Sequence, residues 1–213
     1  MSGIQQMLTG GTYKPAGPTT IGQAFGGGFY AGKIAVSGGG VATHYLIVAP
    51  KSTGEASRTW DVYGVSNFGS AIDGPTNTTL IAAAGSAAAT FCKNLTIGGY
   101  TDWYLPATNE LEVLYYFLKP TTTGNDTSSG SNANAVSPEP VSTNYTSGSP
   151  AQTSAGIGFR SGETNAFTTS GDYWTSTGFS SGVARSQSFS DGIQGLTNRN
   201  NSLNTRAVRR IPV

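Results

Sequence analysis

Two pairs of carboxylates, Asp102 with Glu110 and Asp172 with Asp191, are the residues of this sequence whose type suits bond-breaking chemistry. Glycoside hydrolysis places two carboxyls on either side of the scissile bond, one as acid and the other as base or nucleophile. Nothing in the spacing sets either pair across a cleft, so both are read as structural caps. A nucleophile with its own base is no better provided for. The single histidine, His44, stands beside Tyr45-Leu46-Ile47-Val48 and reads as a strand-end residue, and Cys92 lies in an Ala-rich apolar stretch that suits a small core residue. The triple glycine Gly26-Gly27-Gly28 lacks the Lys-Ser/Thr that a phosphate-cradling loop requires. No catalytic residue, no metal ligand and no cofactor is assigned.

Composition narrows the partners. Charged residues make up 11% of the 213, the net charge is +1, and glycine numbers 30, so solubility rests on Ser, Thr, Asn and exposed backbone. Arg199, Arg206, Arg209 and Arg210 cluster near the end, but no broad basic stripe exists to track phosphates, and nucleic acid is not expected as a partner. One cysteine excludes an intrachain disulfide. The start, Met1 to Leu8, lacks the basic and apolar regions of a signal peptide, and no stretch approaches the ~20 apolar residues of a membrane span. Synthesis in the cytoplasm without membrane insertion is therefore expected. The Asn-x-Thr triplets at Asn77, Asn94, Asn125 and Asn144 are attributed to chance in a chain so rich in both residues.

The elements follow from pattern. Gly10-Gly11, Pro15 and Pro18 mark residues 1–20 as an extended arm for attachment or oligomerisation. Phe29 to Val36 and Tyr45 to Ala49 form a hairpin, and Trp60 to Tyr63 a short strand. Leu80, Ala84, Ala87, Ala88, Phe91, Cys92 and Leu95 recur at helical spacing, which predicts one helix between Thr76 and Leu95 stopped by Gly98-Gly99. A second helix follows Pro106, with Thr108 as N-cap, Glu110 and Glu112 near the positive end of its dipole, and Leu111, Leu114, Tyr115 and Leu118 on one stripe up to Lys119-Pro120. Thr121 to Ser154 is a polar loop well beyond the ~12 to 15 residues usual in a domain, so it is functional, disordered or held by a partner. Strands return at Tyr173–Thr177, Val183–Phe189, Ile193–Leu196 and Thr205–Ile211. The layout is α+β: two helices with small antiparallel sheets, over residues 21–213, with a long polar insertion at about 120–170.

Three motifs carry a resemblance: Trp103-Tyr104-Leu105-Pro106-Ala107-Thr108-Asn109-Glu110-Leu111, Tyr173-Trp174-Thr175-Ser176-Thr177, and Arg206-Ala207-Val208-Arg209-Arg210. With the element order, the chain from about Ile34 onward resembles the C-type-lectin-like domains of phage fibres and bacterial surface adhesins, in particular the collagen-like-adhesin C-terminal domain family. The Leu105–Leu111 motif is also similar to a helix-opening segment of the formylglycine-generating-enzyme superfamily. That resemblance implies Trp103, Leu105, Trp174 and Val208 in the core and Glu110 tied back to loop backbone. Copper chemistry resting on paired cysteines is not carried over to a chain with Cys92 alone. Nor is the calcium site of animal lectins, because Glu139-Pro140 is followed by Val141 and Trp174 by Thr175.

Residues 21–50 are similar to tailed-phage virion proteins, which implies a non-enzymatic tail-fibre or tip subunit that adsorbs to the host surface. It implies too a homotrimer, with the arm contacting other virion proteins. A virion decoration or connector protein without receptor binding, and a bacterial surface adhesin, are the alternatives. In lectin-like tips the terminal meander meets the ligand, a surface glycan or protein. By alternation this places Arg185, Gln187 and Phe189 on one strand side, with Gln194, Asn198, Asn200, Asn201 and Asn204 in the adjoining strand and loop. Phe189 would stack on a sugar ring. The same Asn-rich stretch also fits a merely solvated loop.

Overall fold

The computed structural model describes residues 16–62, 69–155 and 158–213. The expected arm therefore lies outside the described residues up to position 15, as does Tyr63. The architecture is α+β, with two sheets and four helices among the described residues.

The first sheet holds β1 (Ala24–Phe25), β2 (Gly28–Ile34), β3 (His44–Val48) and β9 (Val208–Pro212), in that order and antiparallel throughout. β2 and β3 are the expected hairpin, running from Phe29 opposite Val48 to Ile34 opposite His44. Their register shifts between Tyr30 and Gly32. Gly32 has φ 132°, and a Cβ there would fall 2.7 Å from the Phe117 ring and 2.9 Å from Val113. Only glycine lets the following helix approach the strand this closely.

That helix, α4 (Thr108–Leu118), buries Leu111, Leu114, Tyr115 and Leu118 completely, so the stripe seen in the sequence is its core face. Each such side chain contributes roughly 1.5–3 kcal/mol on burial. Around them gather Ile34, Leu46, Val48, Phe159, Phe167, Tyr173 and Val208. The N-cap is Ala107 rather than Thr108, which is the first helical residue and donates its N–H to Thr177 Oγ1 at 3.1 Å. Capping comes from within the helix: Glu110 Oε2 accepts the Ala107 N–H at 2.8 Å.

The single helix expected between Thr76 and Leu95 is two, α2 (Gly74–Ala83) and α3 (Ala87–Lys93). Gly85 at φ 101° ends the first, and the Ser86 hydroxyl caps the second by accepting the Ala89 N–H at 3.3 Å. A one-turn helix, α1 (Lys51–Gly54), leads into β4 (Glu55–Arg58). The strand expected at Trp60–Tyr63 is not there: residues 60–62 are not in a strand, and β4 ends before them at Arg58. Trp60 and Val62 follow it as buried residues of a second core with Ile81, Cys92, Trp103, Leu105 and Trp174.

The second sheet runs β4, β8 (Leu203–Arg206), β5 (Asp172–Gly178), β6 (Val183–Ser188), β7 (Gln194–Asn198). It is not wholly antiparallel, since β5 and β8 run parallel at Tyr173 opposite Asn204. The closing strand expected at Thr205–Ile211 divides at Ala207 and serves both sheets as β8 and β9. There the Ala207 N–H donates to Gly54 O at 2.9 Å, and its carbonyl accepts from Ala49 at 3.0 Å.

Among the described residues the polar insertion has no helix or strand, yet it is packed. Asn125, Asn132, Asn134, Ala135, Val136, Glu139 and Tyr145 are all buried. Asparagine side chains replace the missing ladders: Asn134 Nδ2 donates to Ala35 O at 2.7 Å and Asn125 Nδ2 to Pro150 O at 2.9 Å. Buried backbone groups need partners, and here side-chain amides supply them. With Asn77 and Asn125 both buried, two of the four Asn-x-Thr triplets are structural.

Candidate functional site

Each acid that suggested chemistry is held by a neighbour. Asp102 accepts a bidentate pair from Arg209, Nε at 2.8 Å and Nη2 at 2.9 Å. Glu110 accepts the Tyr104 hydroxyl at 2.6 Å as well as the Ala107 N–H, and lies 3.3 Å from Arg210 Nε. Burial pushes its carboxyl up to about 7, although Arg210, Tyr104 and Ala107 all pull the other way. Arg210 also reaches Asp73 at 3.0 Å, so this cluster joins α2, α4 and β9. Asp172 accepts the Ser186 hydroxyl at 3.3 Å, and Asp191 Oδ1 accepts the Ile193 N–H at 3.3 Å in a turn. Glu110 and Asp102 thus serve as joints between elements, Glu110 fully buried and Asp102 still exposed beside its Arg209 partner.

The terminal arginines are joints too. Arg206 is buried with Nη1 2.8 Å from Glu55 and Nε donating to Ala49 O at 2.8 Å. Arg199 is buried over the Trp60 ring at 4.4 Å and donates to the carbonyls of Val183 and Val62. His44 opens β3, its Nδ1 2.9 Å from Thr43 Oγ1, and burial followed by the nearby Arg210 charge lowers its pKa. Cys92 is completely buried, which pushes its thiol far up and leaves no reactive thiolate. Among the described residues no group of three or more His, Cys, Asp or Glu could hold a metal ion.

A third carboxyl pair, Glu112 with Glu139, is not visible in the sequence. Glu112 on α4 accepts Asn132 Nδ2 at 2.7 Å and the Tyr145 hydroxyl at 2.8 Å, while Glu139 of the insertion accepts the same amide at 3.1 Å. Burial raises both carboxyls, and the neighbouring Glu112 charge raises Glu139 further. Glu139 Oε2 is buried without a hydrogen-bond partner. Only the fold brings Glu139 to Glu112, so no spacing in the sequence announces the pair.

The terminal meander separates its expected ligand residues into two groups. Phe189 is 0% exposed, stacked on Phe167 at 3.8 Å between centroids and packed edge-on against Tyr115 and Tyr173, so it is unavailable to a sugar. It lies just past the end of β6 and, like Gln187 two residues before it, is on the buried side. Gln187 is 1% exposed, because the insertion covers that end of β6 and Gln187 Nε2 donates to Tyr145 Oη at 3.2 Å. Gln194 and Asn204 are half-buried and committed: Gln194 Oε1 accepts the Gly130 N–H at 3.2 Å, and Asn204 Nδ2 donates to Asp172 O at 3.3 Å. Arg185, half-buried, and Asn198, Asn200 and Asn201, all exposed, remain on the surface.

Beside them stands an aromatic residue that alternation does not find. Phe179, in the Gly178–Gly182 turn between β5 and β6, is 43% exposed, and the Arg185 guanidinium lies over its ring at 5.3 Å. Leu196, opposite Arg185 in register, is 47% exposed. The signal was a lone phenylalanine among Gly and Ser, without the apolar partners a core residue needs. Phe179, Arg185, Leu196, Asn198, Asn200 and Asn201 thus form a mixed apolar and amide surface on β6, β7 and their turns.

The Lcl C-terminal domain matches residues 50–209, about three quarters of the chain, and the chain belongs to that family. No curated protein and no solved structure matches it significantly.

Proposed function

We propose that this chain is a non-enzymatic virion protein, a phage tail-fibre or tip subunit that holds the host surface through a C-type-lectin-like body, with saccharide as the ligand class. The observation that carries the binding part is the exposed Phe179 and Leu196 with the half-buried Arg185 and the exposed Asn198, Asn200 and Asn201. Apolar side chains grouped at a surface and rimmed by amides mark interaction sites. An aromatic face with adjacent amide donors and acceptors suits a sugar, whose C–H face is apolar and whose edge carries hydroxyls. The lectin-like reading is supported by two sheets joined through a closing strand, with long irregular segments between helix and meander. The virion setting rests on the resemblance of residues 21–50.

Purified protein should bind host cells and block phage adsorption, and Phe179→Ala or Asn200→Ala should each weaken this at least about tenfold, the loss expected for one central contact. Unchanged adsorption with both variants would remove the receptor-binding reading and leave a decoration or connector role. Turnover of a host polysaccharide would overturn the non-enzymatic part.

A further inference from the structure

A recess of about 300 Å³ opens on the four-stranded sheet, away from the meander strands, with Phe25, Tyr45, Tyr100, Arg209, Ile211 and Pro212 in its walls. Its volume matches the lower end of small-ligand sites. Tyr100 is 41% exposed and carries the Arg209 guanidinium on its ring at 3.8 Å. Arg209 is fixed on three sides: Nε and Nη2 grip Asp102, and Nη1 donates to Gly26 O at 2.8 Å. One N–H on each of Nη1 and Nη2 is left for a ligand. The Asp102 carboxylate cancels the guanidinium charge, so the recess offers fixed donors and aromatic walls without net charge.

We infer that this recess is a second binding site, for one ring of an uncharged hexopyranose, independent of the Phe179 surface. The apolar C–H face of the sugar lies against the aromatic and aliphatic wall, and ring hydroxyls accept from Arg209. An anionic sugar is disfavoured because it would compete with Asp102 for the same guanidinium fork. The inference does not need the host-receptor reading, and the two fail separately.

The test is titration of the full chain with methyl glucoside, methyl galactoside and methyl mannoside, followed by saturation-transfer NMR and amide shifts. At least one glycoside should bind at millimolar strength, with shifts at Gly26, Tyr100 and Ile211 in the unmodified protein. Tyr100→Ala should weaken it at least about tenfold, and Phe179→Ala should leave it unchanged. No binding by any of the three, shifts confined to other residues, or binding of glucuronate alone would each overturn the inference. The shift map on the unmodified chain keeps the test decisive even if Tyr100→Ala does not fold.

Discussion

Glu112 and Glu139 are buried around the same Asn132 amide, and Glu110 sits buried against Arg210 near Glu112 on α4. All three have folded-state pKa values raised by burial above the ordinary 4.5. Below that value both folded and unfolded chains hold these protons, and the contribution to stability is fully present. As pH rises the unfolded chain ionises first, so the contribution is lost, for Glu110 on passing about 7. The protein should therefore melt at higher temperature at about pH 5 than at about pH 8, as measured by calorimetry at both values. Glu139→Gln replaces the buried carboxyl by an amide of the same shape and removes one titration. It should gain about 1–3 kcal/mol at alkaline pH and flatten the dependence of stability on pH. A steeper dependence in that variant would contradict a Glu139 carboxyl raised by burial.

The meander shows how an element can be legible while its faces are not. β6 was expected from its alternation, yet the insertion covers one end of it and leaves the other bare. Phe189→Ala should cost about 3–5 kcal/mol by opening a cavity among Phe167, Tyr115 and Tyr173, read from denaturant melts. Phe179→Ala should stay within about 0.5 kcal/mol of the parent, as for a surface side chain. Equal losses in the two would contradict their placement. Between β2 and α4 the close approach depends on Gly32. Gly32→Ala meets both a positive φ and the Phe117 ring, so it should destabilise by more than about 1 kcal/mol.

At the scale of the whole molecule, the insertion decides what is rigid. Thirty-odd residues without regular structure would ordinarily be cut readily by proteases. Here their side chains and backbone are bonded to α4, to Ala35 just after β2 and to each other, so limited proteolysis under native conditions should spare residues 125–150. Rapid cleavage there would mean the asparagine network does not hold. Light scattering tests the proposed homotrimer, and removal of residues 1–20 should abolish assembly if the arm knits it. A stable trimer without them would place the contacts on the body instead.

The sequence by itself determined the β2–β3 hairpin and the α4 core stripe, each of which follows from a period or a turn residue acting over a few positions of chain. The core positions of Trp103, Leu105, Trp174 and Val208 came instead from the resemblance carried by the motifs around them. The sequence also held the family motifs, at Leu105–Leu111, Tyr173–Thr177 and Arg206–Arg210. Only the tertiary structure decided which polar residues are spent internally. Gln187, Gln194 and Asn204 look like ligand residues until the insertion and β5 are seen to take their hydrogen bonds. Phe189 and Phe179 are both phenylalanines near strand ends, and only the packing around each makes one core and the other surface. Glu112 and Glu139 are likewise separated in sequence and joined only by the return of the insertion over α4. Short-range pattern fixes what a segment becomes, whereas burial and pairing depend on distant segments that cover it.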